Sequence, residues 1–95
     1  MPTFLLRVAT TWSVPGLGLL ALPDGPTPHL AAYALHTALA VEALLPDGSR
    51  HAALATVEEI TRDGITERGL LLEFNPPLPL PEGTEIGLPP TSDQP

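Results

Sequence analysis

The sequence predicts an all-β fold: a small antiparallel closed β-barrel of about six strands, with a short helical turn near Pro28–His36. Three observations lead there. Phe4, Leu6, Val8, Trp12 and Val14 recur at a spacing of two, interrupted only by Thr10, which is the period of a strand with one buried side. Thirteen prolines and eight glycines punctuate 95 residues, which favours short strands and many turns over long helices. Two apolar arms flank Pro46-Asp47-Gly48-Ser49, the pattern of a β-hairpin. Closure into a barrel would also hide the edges of a leucine-rich sheet.

Taken in order, the opening strand places Leu5, Arg7, Ala9, Thr11 and Ser13 on its second face and stops at Pro15-Gly16-Leu17-Gly18. Sharing the apolar face, Phe4 and Trp12 are expected in the core. Leu19–Leu22 is a short second strand. Pro23–Pro28 is a connector stiffened by Pro23, Pro26 and Pro28. Thr27 can N-cap a helical turn with Pro28 at its first position, and the alanines that follow favour helix. The rival is one long helix from Pro28 to Leu44. Leu39–Leu45 and His51–Ile60 are expected to pair. Thr61–Arg68, with Asp63-Gly64, is expected as a loop, and Gly69–Phe74 as a strand. Asn75–Pro81 is too proline-rich for a central ladder; it is expected to cross one end of the barrel with Leu78 and Leu80 inward. Glu82-Gly83 turns the chain into a closing strand at Thr84–Leu88. Residues 1–88 then form one domain and 89–95 a polar tail.

Composition narrows the function. Hydrophobic residues make up 43% of the chain, enough for a folded core, and the four aromatics leave Leu, Val and Ala to fill it. With no cysteine, disulfide and thiolate chemistry are excluded. There is no lysine, and the four cations are Arg7, Arg50, Arg62 and Arg68. A net charge of −7 repels phosphate backbones and anionic lipid. No apolar run can span a bilayer and no basic leader opens the chain, so a cytoplasmic location is expected.

Phe4-Leu5-Leu6-Arg7-Val8 followed by Trp12-Ser13-Val14-Pro15-Gly16-Leu17-Gly18 resembles the start of domain II of elongation factor Tu and related translation GTPases. That domain opens with F-L-x-x-I/V and turns at F-S-I-P-G-R-G. Thr56-Val57-Glu58-Glu59-Ile60 is similar to its G-V-E-M-F strand, and Leu80-Pro81-Glu82-Gly83-Thr84-Glu85-Ile86 to its I-x-x-G-x-V-L segment. The landmarks keep their order over nearly the whole chain. The resemblance implies a small antiparallel barrel. In that family the barrel contacts the GTPase domain and helps hold the acceptor end of tRNA or touches the ribosome. Two departures bear on those contacts: the arginine of the turn is Leu17, and an acidic pair of the first strand is Ala9-Thr10. The chain also has no G-x-x-x-x-G-K-[ST] phosphate loop.

Candidate chemistry is sparse. His29, His36 and His51 lack the spacing of a metal site, and they are expected at surface or boundary positions. Glu58, Glu59, Asp63 and Glu67 cluster around one stretch, without EF-hand spacing; a solvated acidic rim or a docking surface for a basic partner fits them. Ser13 and Ser49 sit in no nucleophile motif. No acid, base and nucleophile stand together, so the chain is expected to be no enzyme and to use no cofactor.

The expected function is therefore a non-catalytic binding module for a protein partner, with Asp24, Thr27, Tyr33, Glu58, Glu59, Asp63 and Glu67 as contact residues. An RNA- or ribosome-associated role is the second reading, opposed by the acidic balance, and a small enzyme of unknown class the third. Self-association as a homodimer would also bury surplus leucine.

Overall fold

The computed structural model describes residues 4–74 and 78–89. Its six strands are β1 (Phe4–Val14), β2 (Gly18–Pro23), β3 (Ala38–Leu44), β4 (Arg50–Arg62), β5 (Ile65–Glu73) and β6 (Glu85–Gly87), with one short helix, α1 (Pro28–Ala31), between β2 and β3. Every pairing is antiparallel, and the sheet closes in the order β1-β2-β5-β4-β3-β6. The predicted class and the helical turn are both present; the long-helix rival is not, because Leu39, Val41 and Ala43 enter the β3–β4 ladder. The tail at 90–95 and the Asn75–Pro77 part of the proline-rich stretch lie outside the described residues. Of that stretch, Leu80 is buried and Leu78 packs against the core, as expected.

Leu5, Leu6, Val8, Val41, Val57, Leu70, Leu72 and Ile86 fill the interior. Leu30 of α1 joins them, fully buried, and α1 packs against β1 and β5. The connection from β2 to β3 therefore closes one end of the ring. The β4–β5 hairpin projects from the same end. The β1–β2 and β3–β4 turns and the start of the β5–β6 connection lie at the opposite end.

Two expectations need correction. Phe4 and Trp12 are not core residues; they are 45% and 46% exposed. The strict alternation in β1 is broken twice, by register shifts between Phe4 and Leu6 and between Val8 and Thr10. Each inserts one residue, and a single insertion turns the following side chains to the other face. Leu5 and Leu6 are consequently both buried, while Trp12 points outward opposite Leu20.

Thr61–Arg68 is also not a loop. Only Asp63 and Gly64 leave the ladder, at φ 52° and 78°, and Arg62 already pairs with Ile65. Two positive φ values in succession match the twist of a two-residue hairpin turn, so the flanking β-branched residues continue as strand. Gly69 and Ile60 of this hairpin lie against the outward side of β2. Leu22, on the outward side of β2, is fully buried without belonging to the interior cluster. Gly69 allows this: a Cβ there would stand 2.7 Å from the Ala21 carbonyl oxygen, 3.1 Å from Ile60 Cδ1 and 3.5 Å from Leu22 Cδ2. The Arg62 guanidinium completes the cover, 5.8 Å from the Trp12 ring centre.

Candidate functional site

The residues singled out from sequence divide between the β2–β3 connection, with Asp24, Thr27 and Tyr33, and the β4–β5 hairpin, with Glu58, Glu59, Asp63 and Glu67. Asp24 follows β2; its N–H donates to the Arg7 carbonyl at 3.1 Å, and its carboxylate lies 4.0 Å from the Arg7 guanidinium. Thr27 occupies the N-cap position of α1 and accepts backbone bonds from Leu30 and Ala31, but its side chain forms no cap. Tyr33 is half-buried against the core rather than displayed. Glu58 accepts a hydrogen bond from the Thr56 hydroxyl at 2.9 Å and stands 3.2 Å from His36 Nδ1. Glu59 pairs in register with Arg68, whose Nη1 is buried with no hydrogen-bond partner among the described residues. Asp63 forms the hairpin turn. Glu67 binds Arg62 at 2.6 Å.

Asp24, Glu58 and Glu67 are therefore occupied by their own neighbours. His36 shows how tightly the end closed by α1 is tied. It takes a left-handed φ of 69°, its N–H donates to the Val57 carbonyl at 2.7 Å, and Thr37 exchanges a second bond with the same residue. The other two histidines stand elsewhere: His29 is exposed on α1, and His51 Nε2 lies 3.1 Å from the Ser49 hydroxyl. Among the described residues, no three His, Asp or Glu side chains gather where one metal ion could sit.

The opposite end differs. The turn after β1 and the end of β5 enclose a groove of about 700 Å³, lined by Val14, Leu17, Leu19, Leu54, Phe74 and Leu78 among others. Gly18 makes the groove possible. Its φ is +141°, and a Cβ there would lie 2.3 Å from the Leu72 carbonyl oxygen, so only glycine lets the turn seat flush on β5. Two groove residues are far more exposed than aliphatic side chains usually are: Leu17 at 57% and Leu54 at 61%.

Leu54 links the groove to a sheet face. It pairs with Ala40 on β3 and Glu73 on β5, and Glu42 pairs with Ala52. Ala38, Ala40 and Ala52 are all exposed. The solvent face of an antiparallel sheet normally alternates to polar residues. Here Ala38, Ala40, Ala52 and Leu54 stand among Thr56, Glu73 and the Glu42–Arg50 pair at 2.8 Å. Glu73 is the charged residue in the groove wall, and it forms no ion pair among the described residues.

Sequence reading missed this region because each signal is small. Leu54 looked like one more apolar residue in a strand, and Leu17 like part of a turn. Parity holds the clue: Ala53, Ala55 and Val57 face inward in β4, which puts Leu54 outside. Comparison of the chain with known families, curated proteins and solved structures gives no match.

Proposed function

We propose that this chain is a non-catalytic β-barrel binding module that acts through protein–protein contact. Its contact surface is the open end: the groove around Leu17 and Leu54 and the alanine face beside it. The observation that carries this reading is Leu54, in mid-strand and 61% exposed, flanked by exposed Ala40 and Ala52. An apolar patch of this kind, joined to the groove that Leu17 and Leu54 share, is costly to leave wet and marks an interaction site. No step of bond making is assigned to any residue.

The kinship with the barrel domain of translation GTPases stays part of the proposal. It is supported by the order of the sequence landmarks and by the need for glycine at the end of the Pro15–Gly18 turn. Tenancy by RNA is the weaker reading. Arg7, Arg50 and Arg62 each stand beside a carboxylate of this same chain, so little positive charge is left to meet phosphate.

The test is capture from native lysate with the wild-type chain and with the Leu17→Ser/Leu54→Ser variant, with and without nuclease. A protein retained by the wild type, lost with the variant and indifferent to nuclease is the expected result. Capture that nuclease abolishes, or that the variant retains in full, would overturn the proposal.

A further inference from the structure

We infer that the groove takes a cationic apolar segment: a stretch of a partner chain with aliphatic or aromatic anchors and an Arg or Lys positioned for Glu73. This rests on the binding-module reading and adds the chemistry of the ligand. The apolar half follows from Leu17, Leu54 and Phe74 in one groove. The cationic half follows from charge. Glu73 stands in the groove wall with no ion pair among the described residues; Glu59, Asp63 and Glu82 also lack one, but none of these three lines the groove. The net charge of −7 acts in the same direction at longer range, drawing basic segments in and turning acidic ones away. A carboxylate at the edge of an apolar cleft rewards a ligand that brings its own counter-charge and penalises one that buries the carboxylate without it.

A second copy of this chain fits less well. It would bring another net −7 to the same surface, and three of its four arginines already stand beside their own carboxylates.

The experiment is selection of a random dodecapeptide phage library on the full chain, depleted first on Leu17→Ser/Leu54→Ser. Synthetic consensus peptides are then titrated by fluorescence anisotropy against the wild type, Glu73→Gln and Glu82→Gln. Glu82 is exposed in the turn before β6, away from the groove, so its substitution removes the same net charge without touching the site. The expected consensus carries two or more apolar positions and at least one Arg or Lys. Glu73→Gln should weaken its binding about fivefold or more while Glu82→Gln leaves it within about twofold. A consensus without basic residues, or equal effects of the two glutamine variants, overturns the cationic inference and leaves the binding-module reading standing. No enrichment over the double variant overturns both. A wild-type dimer in sedimentation that Leu17→Ser/Leu54→Ser makes monomeric overturns the foreign ligand in favour of a second copy.

Discussion

The two ends of this barrel solve opposite problems. At the α1 end the chain supplies its own lid: Leu30 plugs the interior, His36 and Thr37 bond to Val57, and Glu58 and Glu67 are held by neighbours. At the other end nothing comparable covers Leu17 and Leu54 among the described residues, although the groove between them is mostly apolar. Exposed apolar side chains occur at both ends, with Leu35 in the β2–β3 connection and Ile65 in the β4–β5 hairpin, but Leu17 and Leu54 share one groove. Charge clusters draw the eye in a sequence, but a carboxylate already bonded to an arginine has little left to offer a partner. Exposed leucine is the more informative sign.

The largest test of this contrast is Gly18→Ala. The substitution places a methyl against the Leu72 carbonyl at a φ that L-residues rarely adopt. Strain and overpacking together should cost about 3–4 kcal/mol. Gly16→Ala, at φ +80° but with open space around it, should cost only about 1 kcal/mol. Urea unfolding of the two variants measures the difference. Equal losses would mean that the turn does not seat on β5 as described.

Next comes Leu30→Ala. Leu30 is fully buried in the interior cluster, and its truncation should cost about 3 kcal/mol. Leu54→Ser, at the other end, should change stability by no more than about 0.5 kcal/mol, because the side chain already faces water. The comparison breaks if Leu54→Ser destabilises as much as Leu30→Ala, since Leu54 would then be structural rather than displayed.

A smaller effect belongs to Arg62, which links the β4–β5 hairpin to Trp12 of β1. Arg62→Ala removes the contact with Trp12 and the ion pair with Glu67, both partly solvated, for about 0.5–1 kcal/mol. Trp12 is the sole tryptophan, so its emission reports this site alone, and a red shift is expected. An unchanged spectrum would show that the hairpin does not lie over Trp12 in solution.

What was legible in the sequence followed local chemistry. Asp47-Gly48 marked a hairpin, Thr27-Pro28 marked the start of α1, and period-two patterning gave the class, whereas Asp63-Gly64 read as a loop and is a two-residue hairpin turn. What was not legible depended on events without a strong residue signature. The insertions in β1 reversed the facing of Trp12, and only Thr10 breaking the apolar series hinted at them. The extension of β4 and β5 to Arg62 and Ile65 hid behind charged residues that turned out to pair across the strands. The groove needed three separate stretches brought together, with Gly18 as the hinge of that assembly. Its function as an approach point for Leu72 appears only once β5 is beside it.

The last and smallest effect lies in the β3–β4 turn, at the open end, and shows how that end treats a carboxylate it does use. Asp47 accepts bonds from the Ser49 backbone N–H at 2.8 Å and from the Ser49 hydroxyl at 2.6 Å. The hydroxyl bond first, and the backbone bond after it, hold the Asp47 carboxyl below the ordinary aspartate range. A carboxylate whose pKa is lowered on folding stabilises the fold above its unfolded pKa. That contribution fades as the pH falls through the folded value. Titration followed by NMR of the Asp47 side chain should therefore give a midpoint below that of a free aspartate. Ser49→Ala should move it back up and flatten the acid limb of the stability curve on that side. A midpoint unmoved by Ser49→Ala would sink the assignment. Asp47 would then not be held by its own turn, and the distinction between a carboxylate spent on its own turn and one left for a partner would lose its local control.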